Sequence, residues 1–373
     1  MSEPIPLVDL KAQHLQISDA LRDGFARVLE NTSFVLGKEV AEFEAAFARF
    51  SSVRHCIGVA NGTDALELAI RAAGLGPGDE VLLPANTFIA TALAVARAGA
   101  TPVLVDSDPV YHLIDVEKAA QRVGPRARAI LPVHLYGQVA QMEALTDLAL
   151  AKHLVLLEDA AQAQGATRHG RTAGGFGLAA GTSFYPGKNL GAYGDAGAVV
   201  TNDDAVAAKV RALRNYGSEM KYQHSETGFN SRLDTLQAVV LLAKIVHLAR
   251  WNDARRQAAR RYDELLAGLP GVTPPATMGG NEHVWHLYVV RVRKRDAVLA
   301  RLNAAGIGAG IHYPVPIHLQ GAFRHLGHGP GAFPVAERAA REILSLPLFA
   351  EITSAQQERV VAELRAALRV RPG

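Results

Sequence analysis

Lys188 sits in GTSFYPGKNLGAYGDAGAVVTN, residues 181–202, a glycine-rich turn between two apolar runs. Two kinds of chemistry place a lysine there. One uses it as a point charge on nucleotide phosphates; the other uses its amine to condense with the aldehyde of pyridoxal phosphate. A phosphate loop needs four residues between its glycines and a Ser or Thr after the lysine. Here five residues, Thr182 to Pro186, separate Gly181 from Gly187, and Asn189 follows Lys188. Gly175-Phe176-Gly177 starts like a dinucleotide fingerprint but precedes a strand-like run, where that fingerprint would have to follow one. Both nucleotide-loop readings fail. A plain solvated loop lysine remains the competing reading.

Pyridoxal phosphate makes three demands that can be checked. Its phosphate needs backbone N–H groups at a helix N-terminus. VANGTDALELAI offers a strand, the turn Asn61-Gly62, then Thr63 and Asp64 opening a helix, although the same residues also read as an ordinary cap. Its ring nitrogen needs a carboxylate. LVLLEDAAQA puts Glu158 and Asp159 at the end of an apolar strand, where ligands of open α/β sheets bind. Neighbouring strand residues point to opposite faces, so only one of the two can face a ligand. An acid in such surroundings calls for a cationic partner. Its ring needs a cover, and Phe88 in LPANTFIATA follows another strand; a core phenylalanine is the alternative.

The elements that must position these groups alternate between strand-like and helical. Strands are expected at Cys56–Ala60, Glu80–Pro84, Thr101–Asp106, Ala129–Tyr136, His153–Asp159, Gly181–Tyr185 and Gly197–Thr201. Amphipathic helices are expected at Thr63–Ala73, Thr87–Ala98, Val116–Arg122 and Met142–Lys152. The pattern implies an α/β fold: a large domain, residues 1–250, with a mostly parallel seven-stranded sheet covered by helices. The last two strands lack a connecting helix, which leaves room for an antiparallel edge pairing. A long helix is expected from Arg232 to Leu269, then a loop over Pro270–Asn281 and a smaller α+β domain, residues 251–373.

Composition excludes several classes. The 373 residues are 49% hydrophobic, enough for a large core, and carry a net charge of only +3. Arg255-Arg256 and Arg260-Arg261 fall at helical spacing and read as a solvated face, so no nucleic-acid partner is expected. Cys56 is the single cysteine, which rules out an internal disulfide, and no Cys/His spacing fits a metal site. The start, MSEPIPLVDL, has acids and prolines in place of a secretion leader, and no apolar stretch spans a bilayer, so a cytoplasmic protein without membrane contact is expected.

The order of signals, from IPLVDLKAQ through ANGTDAL, LPANTFIATA, VHLYG, EDAAQA, SFYPGKNLGAYGDAGAV, RNYGS and GFNSRLDTLQA to HYPVPIHLQ, resembles the DegT/DnrJ/EryC1/StrS sugar aminotransferases over nearly the whole chain. These are pyridoxal-phosphate enzymes of the fold-type-I aspartate aminotransferase superfamily. The resemblance implies that Lys188 forms the imine with the cofactor and that Asp159 pairs with the pyridine nitrogen. By the same token Gln162 lies beside the ring hydroxyl, Phe88 stacks on the ring, and Gly62, Thr63 and Ser183 bind the phosphate. Asn230 would reach the phosphate from a second subunit of a homodimer with shared sites. Tyr313 and His318 would lie near the sugar. L-glutamate is the implied donor and a nucleotide-linked keto-sugar the acceptor. GFNSRLDTLQA and HYPVPIHLQGAF look more like enzymes acting at carbon 3 of a dTDP-3-keto-6-deoxyhexose than like 4-aminotransferases. A C4 enzyme on a dTDP-, UDP- or GDP-linked 4-keto sugar, an enzyme of a UDP-linked 3-keto sugar acid, and a non-catalytic regulatory relative are the alternatives. A dehydrating offshoot of the family has histidine in place of the lysine, which Lys188 argues against.

Overall fold

The computed structural model describes residues 3–220 and 222–368. The main sheet is built from β1 (His55–Val59), β2 (Glu80–Pro84), β3 (Thr101–Val105), β4 (Ala127–Ile130), β5 (Val155–Asp159), β6 (Ala179–Ser183) and β7 (Gly197–Thr201), in the order β1-β7-β6-β5-β4-β2-β3. Neighbours β3, β2, β4, β5 and β6 run parallel; β7 pairs antiparallel with both β6 and β1. The one reversed strand is therefore antiparallel as expected, but it lies inside the sheet, not at an edge. Its inner position follows from β1, which pairs along all five residues of β7.

Side-chain alternation sorts the strands between two cores. Leu83 and Leu104 join one apolar cluster, while their neighbours Leu82 and Val105 join another. Helices Gly62–Ala72 and Ile89–Arg97 pack into the first, and Met142–Lys152 into the second. Each fully buried Leu or Val here contributes roughly 1.5–3 kcal/mol. Cys56 is a buried free thiol.

Strand β4 stops at Ile130, well short of the expected Tyr136. Beyond it only single bonds follow β5, with Asp159 N–H donating to Pro132 O and His134 N–H to Asp159 O, before the turn Leu135–Gly137. The long helix runs Thr235–Leu266, and Gly268 beyond it is left-handed at φ 66°. Arg255 departs from the solvated face read from its spacing: it is buried, and its Nη1 donates to the carbonyls of Trp285 and Leu348. Tyr262 and Leu266 of the same helix enter a further core with Tyr288, Val290 and Leu344 from a small antiparallel sheet, Val272–Thr273, Tyr288–Val292 and Ile343–Leu346. The N-terminal segment crosses this region, with Ile5 N–H bonded to Gly306 O and Leu348 N–H to Leu7 O. Among the described residues, no helix is long and apolar enough to cross a membrane.

Candidate active site

A cavity of about 800 Å³ opens at the carboxyl ends of the parallel strands, and Gly62, Thr63, Phe88, Asp159, Gln162, Ser183, Lys188 and Tyr313 all line it. Eight residues spread over 250 positions of sequence thus meet at one place. The structure leaves two others outside. Asn230 is exposed and bridges Asn215 through the backbone. His318 is buried, with Nε2 3.0 Å from Glu337 Oε1 and its ring 4.7 Å from that of Phe333. His318, expected near the sugar, is therefore packed against Glu337 and Phe333 and does not line this subunit's cavity.

Asp159 ends β5 pointing into the cavity. Thr91 Oγ1 donates to its Oδ2 at 2.7 Å and Ala161 N–H to its Oδ1 at 3.1 Å. Burial holds this carboxyl above its ordinary value, against the Thr91 and Ala161 bonds and the charge of Lys188. Burial likewise pushes the Lys188 ammonium down to about 8, opposed by Asp159. A buried carboxylate with two donors, whose neighbouring lysine is itself held below its ordinary value by burial, is short of positive partners. It suits a protonated ring nitrogen.

The opposite end of the cavity suits a phosphate. Asn61 caps the helix Gly62–Ala72 by accepting from Asp64 N–H at 2.8 Å, and the N–H groups of Gly62 and Thr63 have no acceptor among the described residues. A Cβ on Gly62 would fall 2.5 Å from Ser183 Cβ, and one on Gly197 would fall 2.4 Å from Asn61 C and O, so this cradle closes only around glycines. Between the two ends, Gln162 Oε1 accepts from Tyr136 N–H at 2.6 Å and its Nε2 donates to Tyr313 Oη at 3.0 Å. Phe88 is 50% exposed with its ring 5.1 Å from Tyr313, which leaves an aromatic face free for a planar ligand. The residues fit pyridoxal phosphate at each of its three demands.

Several contributors escaped the sequence reading. Leu7 and Val8 reach the cavity from the N-terminal segment, and His286 and His312 from the second half of the chain. His312 directly precedes the singled-out Tyr313; its Nδ1 lies 2.8 Å from Ser345 Oγ, and burial together with Lys188 pushes it down to about 4. HVWHLY gave a signal for His286 in its two histidines three apart, but the run read as strand. His286 Nδ1 lies 3.2 Å from Asn189 Oδ1. Glu158, on the far face, is fully buried under His134 Nε2 at 2.8 Å and the amides of Gly174, Phe176 and Gly177 at 2.8, 2.7 and 2.6 Å.

Known proteins resemble the chain over nearly its full length. Residues 16–365 match the DegT/DnrJ/EryC1/StrS aminotransferase family. The dTDP-3-amino-3,4,6-trideoxy-alpha-D-glucose transaminase of Streptomyces venezuelae is 46% identical, over 97% of this chain and 95% of that protein. A protein of Geobacillus stearothermophilus named a pleiotropic regulatory protein is also 46% identical, over 96% of this chain and 97% of its own. The crystal structure of S. venezuelae DesV in complex with a ketimine intermediate superposes with a TM-score of 0.96 at 45% identity, covering 99% of this chain and 100% of that one.

Proposed function

The chain belongs to the DegT/DnrJ/EryC1/StrS aminotransferase family, and from that premise we propose that it moves an amino group from L-glutamate to carbon 3 of a dTDP-3-keto-6-deoxyhexose. Nucleotide-sugar amination with pyridoxal phosphate comes with the family and its transaminase relatives. The single observation that carries the catalytic reading is the shared cavity of Lys188, Asp159 and the open helix end at Gly62. A regulatory reading, raised by the name of the Geobacillus relative, has no such support: a chain that only signalled would have no use for a buried carboxylate short of donors beside a buried lysine.

In this reading the amine of Lys188 would hold pyridoxal phosphate at its aldehyde carbon and would give way to the incoming donor amine. When bound, pyridoxal phosphate supplies a sink for the electron pair left by the departing α-proton. Lys188, freed and partly neutral through burial, takes that proton from the donor's Cα and returns one when the acceptor is aminated. Asp159, braced by Thr91 and Ala161, would face the ring nitrogen and favour its protonated form. Gly62, Thr63 and Ser183 would hold the phosphate and Phe88 would cover one ring face, while Gln162 Nε2 donates to Tyr313 Oη beside them.

The choice of a neutral sugar over a sugar acid rests on the cavity's charges. Besides Lys188, its one Lys or Arg side chain among the described residues is Arg97, whose guanidinium lies 3.2 Å from Asp64 and 2.8 Å from Glu67. Neither acid leaves Arg97 free for a sugar carboxylate. Leu7, Val8, Leu93 and Leu287 add apolar wall that suits a 6-methyl group. The preference for carbon 3 rests on the look of GFNSRLDTLQA and HYPVPIHLQGAF. The test offers purified enzyme, glutamate and each nucleotide-linked keto-sugar in turn, then locates the new C–N bond by NMR. Amination only at carbon 4, or only of a UDP-linked sugar, would overturn the finer choice.

Sharing of sites in a homodimer belongs to the same proposal. Asn230 lies outside its own cavity and is exposed, as a residue serving a partner would be. Phe34, Val35, Leu36 and Leu236 expose apolar side chains where the 34–35 and 234–235 backbones join. Mixing inactive Lys188→Ala subunits with inactive Asn230→Ala subunits should restore activity through hybrid sites; exchanged mixtures that stay inactive would argue against sharing.

A further inference from the structure

A chain of side-chain amides runs from the backbone to the cavity wall and fixes a proton at its end. Asn252 Nδ2 donates to Gln164 O at 2.9 Å, so its Oδ1 faces the other way and accepts from Asn189 Nδ2 at 2.9 Å. The same Asn189 Nδ2 also donates to Val284 O at 2.9 Å. Both neighbours of that nitrogen are acceptors, so the Asn189 amide has one orientation and meets His286 Nδ1 with its oxygen. An oxygen without a proton requires N–H at Nδ1. Nε2 of His286 has no partner among the described residues and is not sealed in, and His286 lines the cavity. A second proton there is opposed by burial first, then by Lys188, Arg255, His312 and His283. What His286 offers the cavity is a lone pair.

We propose that His286 Nε2 is a fixed hydrogen-bond acceptor for a hydroxyl of the sugar, which makes His286 a specificity-determining residue. The inference rests on the nucleotide-sugar reading above. A lone pair repels the carboxylate and phosphate oxygens of either substrate, so the groups it can welcome are O–H and N–H donors. Glutamate offers two carboxylates and a single amine that must sit at Lys188; the sugar ring offers hydroxyls. A sugar lacking the matched hydroxyl would leave this buried acceptor unpaired, which is how a site built around one hydrogen bond rejects an analogue.

The two half-reactions separate the possibilities. Holoenzyme is converted by glutamate and followed through loss of the absorbance of the lysine-bound cofactor, then returned by keto-sugar, for wild type, His286→Phe and His286→Gln. We expect His286→Phe to raise KM for the keto-sugar roughly ten- to hundred-fold while the glutamate half-reaction stays within about two-fold. His286→Gln, which can present an amide oxygen, should recover most of the loss. An equal effect on both half-reactions, or none on either, overturns the proposal. Wild type that reacts with glutamate but with no keto-sugar overturns the nucleotide-sugar reading and this inference with it. A measurement on the unmodified protein needs no substrate. In histidine-labelled apoprotein, nitrogen NMR should show a neutral imidazole protonated at Nδ1 whose signal is missing in His286→Gln. A proton at Nε2, or an imidazolium at neutral pH, overturns the assignment whatever the kinetics.

Discussion

Asp159 and Glu158 leave the end of β5 one residue apart and enter two different surroundings. Both are buried, yet burial moves only one of them in its own direction. Glu158 accepts from four donors, and although burial pushes its carboxyl up, the His134 bond and the amides of Gly177 and Gly174 outweigh it and leave the group below its ordinary value. Ala140 N–H donates to His134 Nδ1 at 3.2 Å, so His134 gives its one proton to Glu158 from Nε2. Asp159 accepts from two donors, and burial wins. The far face has spent its carboxylate on holding loop 174–177 to the sheet; the cavity face keeps one short of partners. Depth of burial does not tell a structural acid from a functional one, but the count of donors does.

The comparison can be broken by exchanging each acid for its amide. Asp159→Asn should cost roughly a hundred- to thousand-fold in turnover with cofactor still bound and little change in unfolding temperature. Glu158→Gln should do the reverse, losing about 3 kcal/mol of stability by denaturant titration, because an amide NH₂ then faces backbone N–H groups. A crippled but stable Glu158→Gln, with Asp159→Asn nearly silent, would invert the two roles.

Thr91→Val removes one of Asp159's two donors. It should lower turnover about five-fold, near 1 kcal/mol, and Thr91→Ser should restore it.

The smallest effect is in the apoprotein's response to pH. Asp159 has a raised folded value, so its contribution to stability is present below the unfolded value of about 3.9 and is lost as pH rises through the folded one. Glu158 is lowered, so its contribution is present above about 4.3 and is lost as pH falls through its folded value. Apo Asp159→Asn should therefore match apo wild type near pH 3–4 and melt slightly higher at neutral pH, with the gap closing when cofactor is added to wild type. A gap that does not change with pH would mean that Asp159 is not short of partners.

The alternation at 158–159 was legible in the sequence because strand geometry is local, and so were the lysine turn, the glycine cradle and the order of motifs. The donors that separate the two acids were not, because they come from His134 and from amides at 174–177, which carry no side-chain signal. The burial of His318 was not legible for the same reason: its partner Glu337 arrives on the helix Pro334–Glu342, nineteen positions later. His286 hid inside an apolar run, and its proton is set by two asparagines, Asn189 and Asn252, that mean nothing until the fold brings them together. The overrun of β4 came from treating LPVHLY as uniform, although the regular ladder ends at Ile130 and only single bonds to β5 follow.

The antiparallel return of β7 has a consequence for assembly. Phe184 N–H bonds to Ala196 O and Ala192 N–H to Phe184 O, so both ends of the lysine loop are fastened to adjacent strands. A crossover helix would have anchored one end here and carried the other away across the sheet face. Zipping β6 to β7 instead closes the ring that contains Lys188, and the entropy of that closure is met by sheet formation and not by ligand binding. Length changes in this loop should therefore be resisted, since one added residue would have to be absorbed between two fixed rungs.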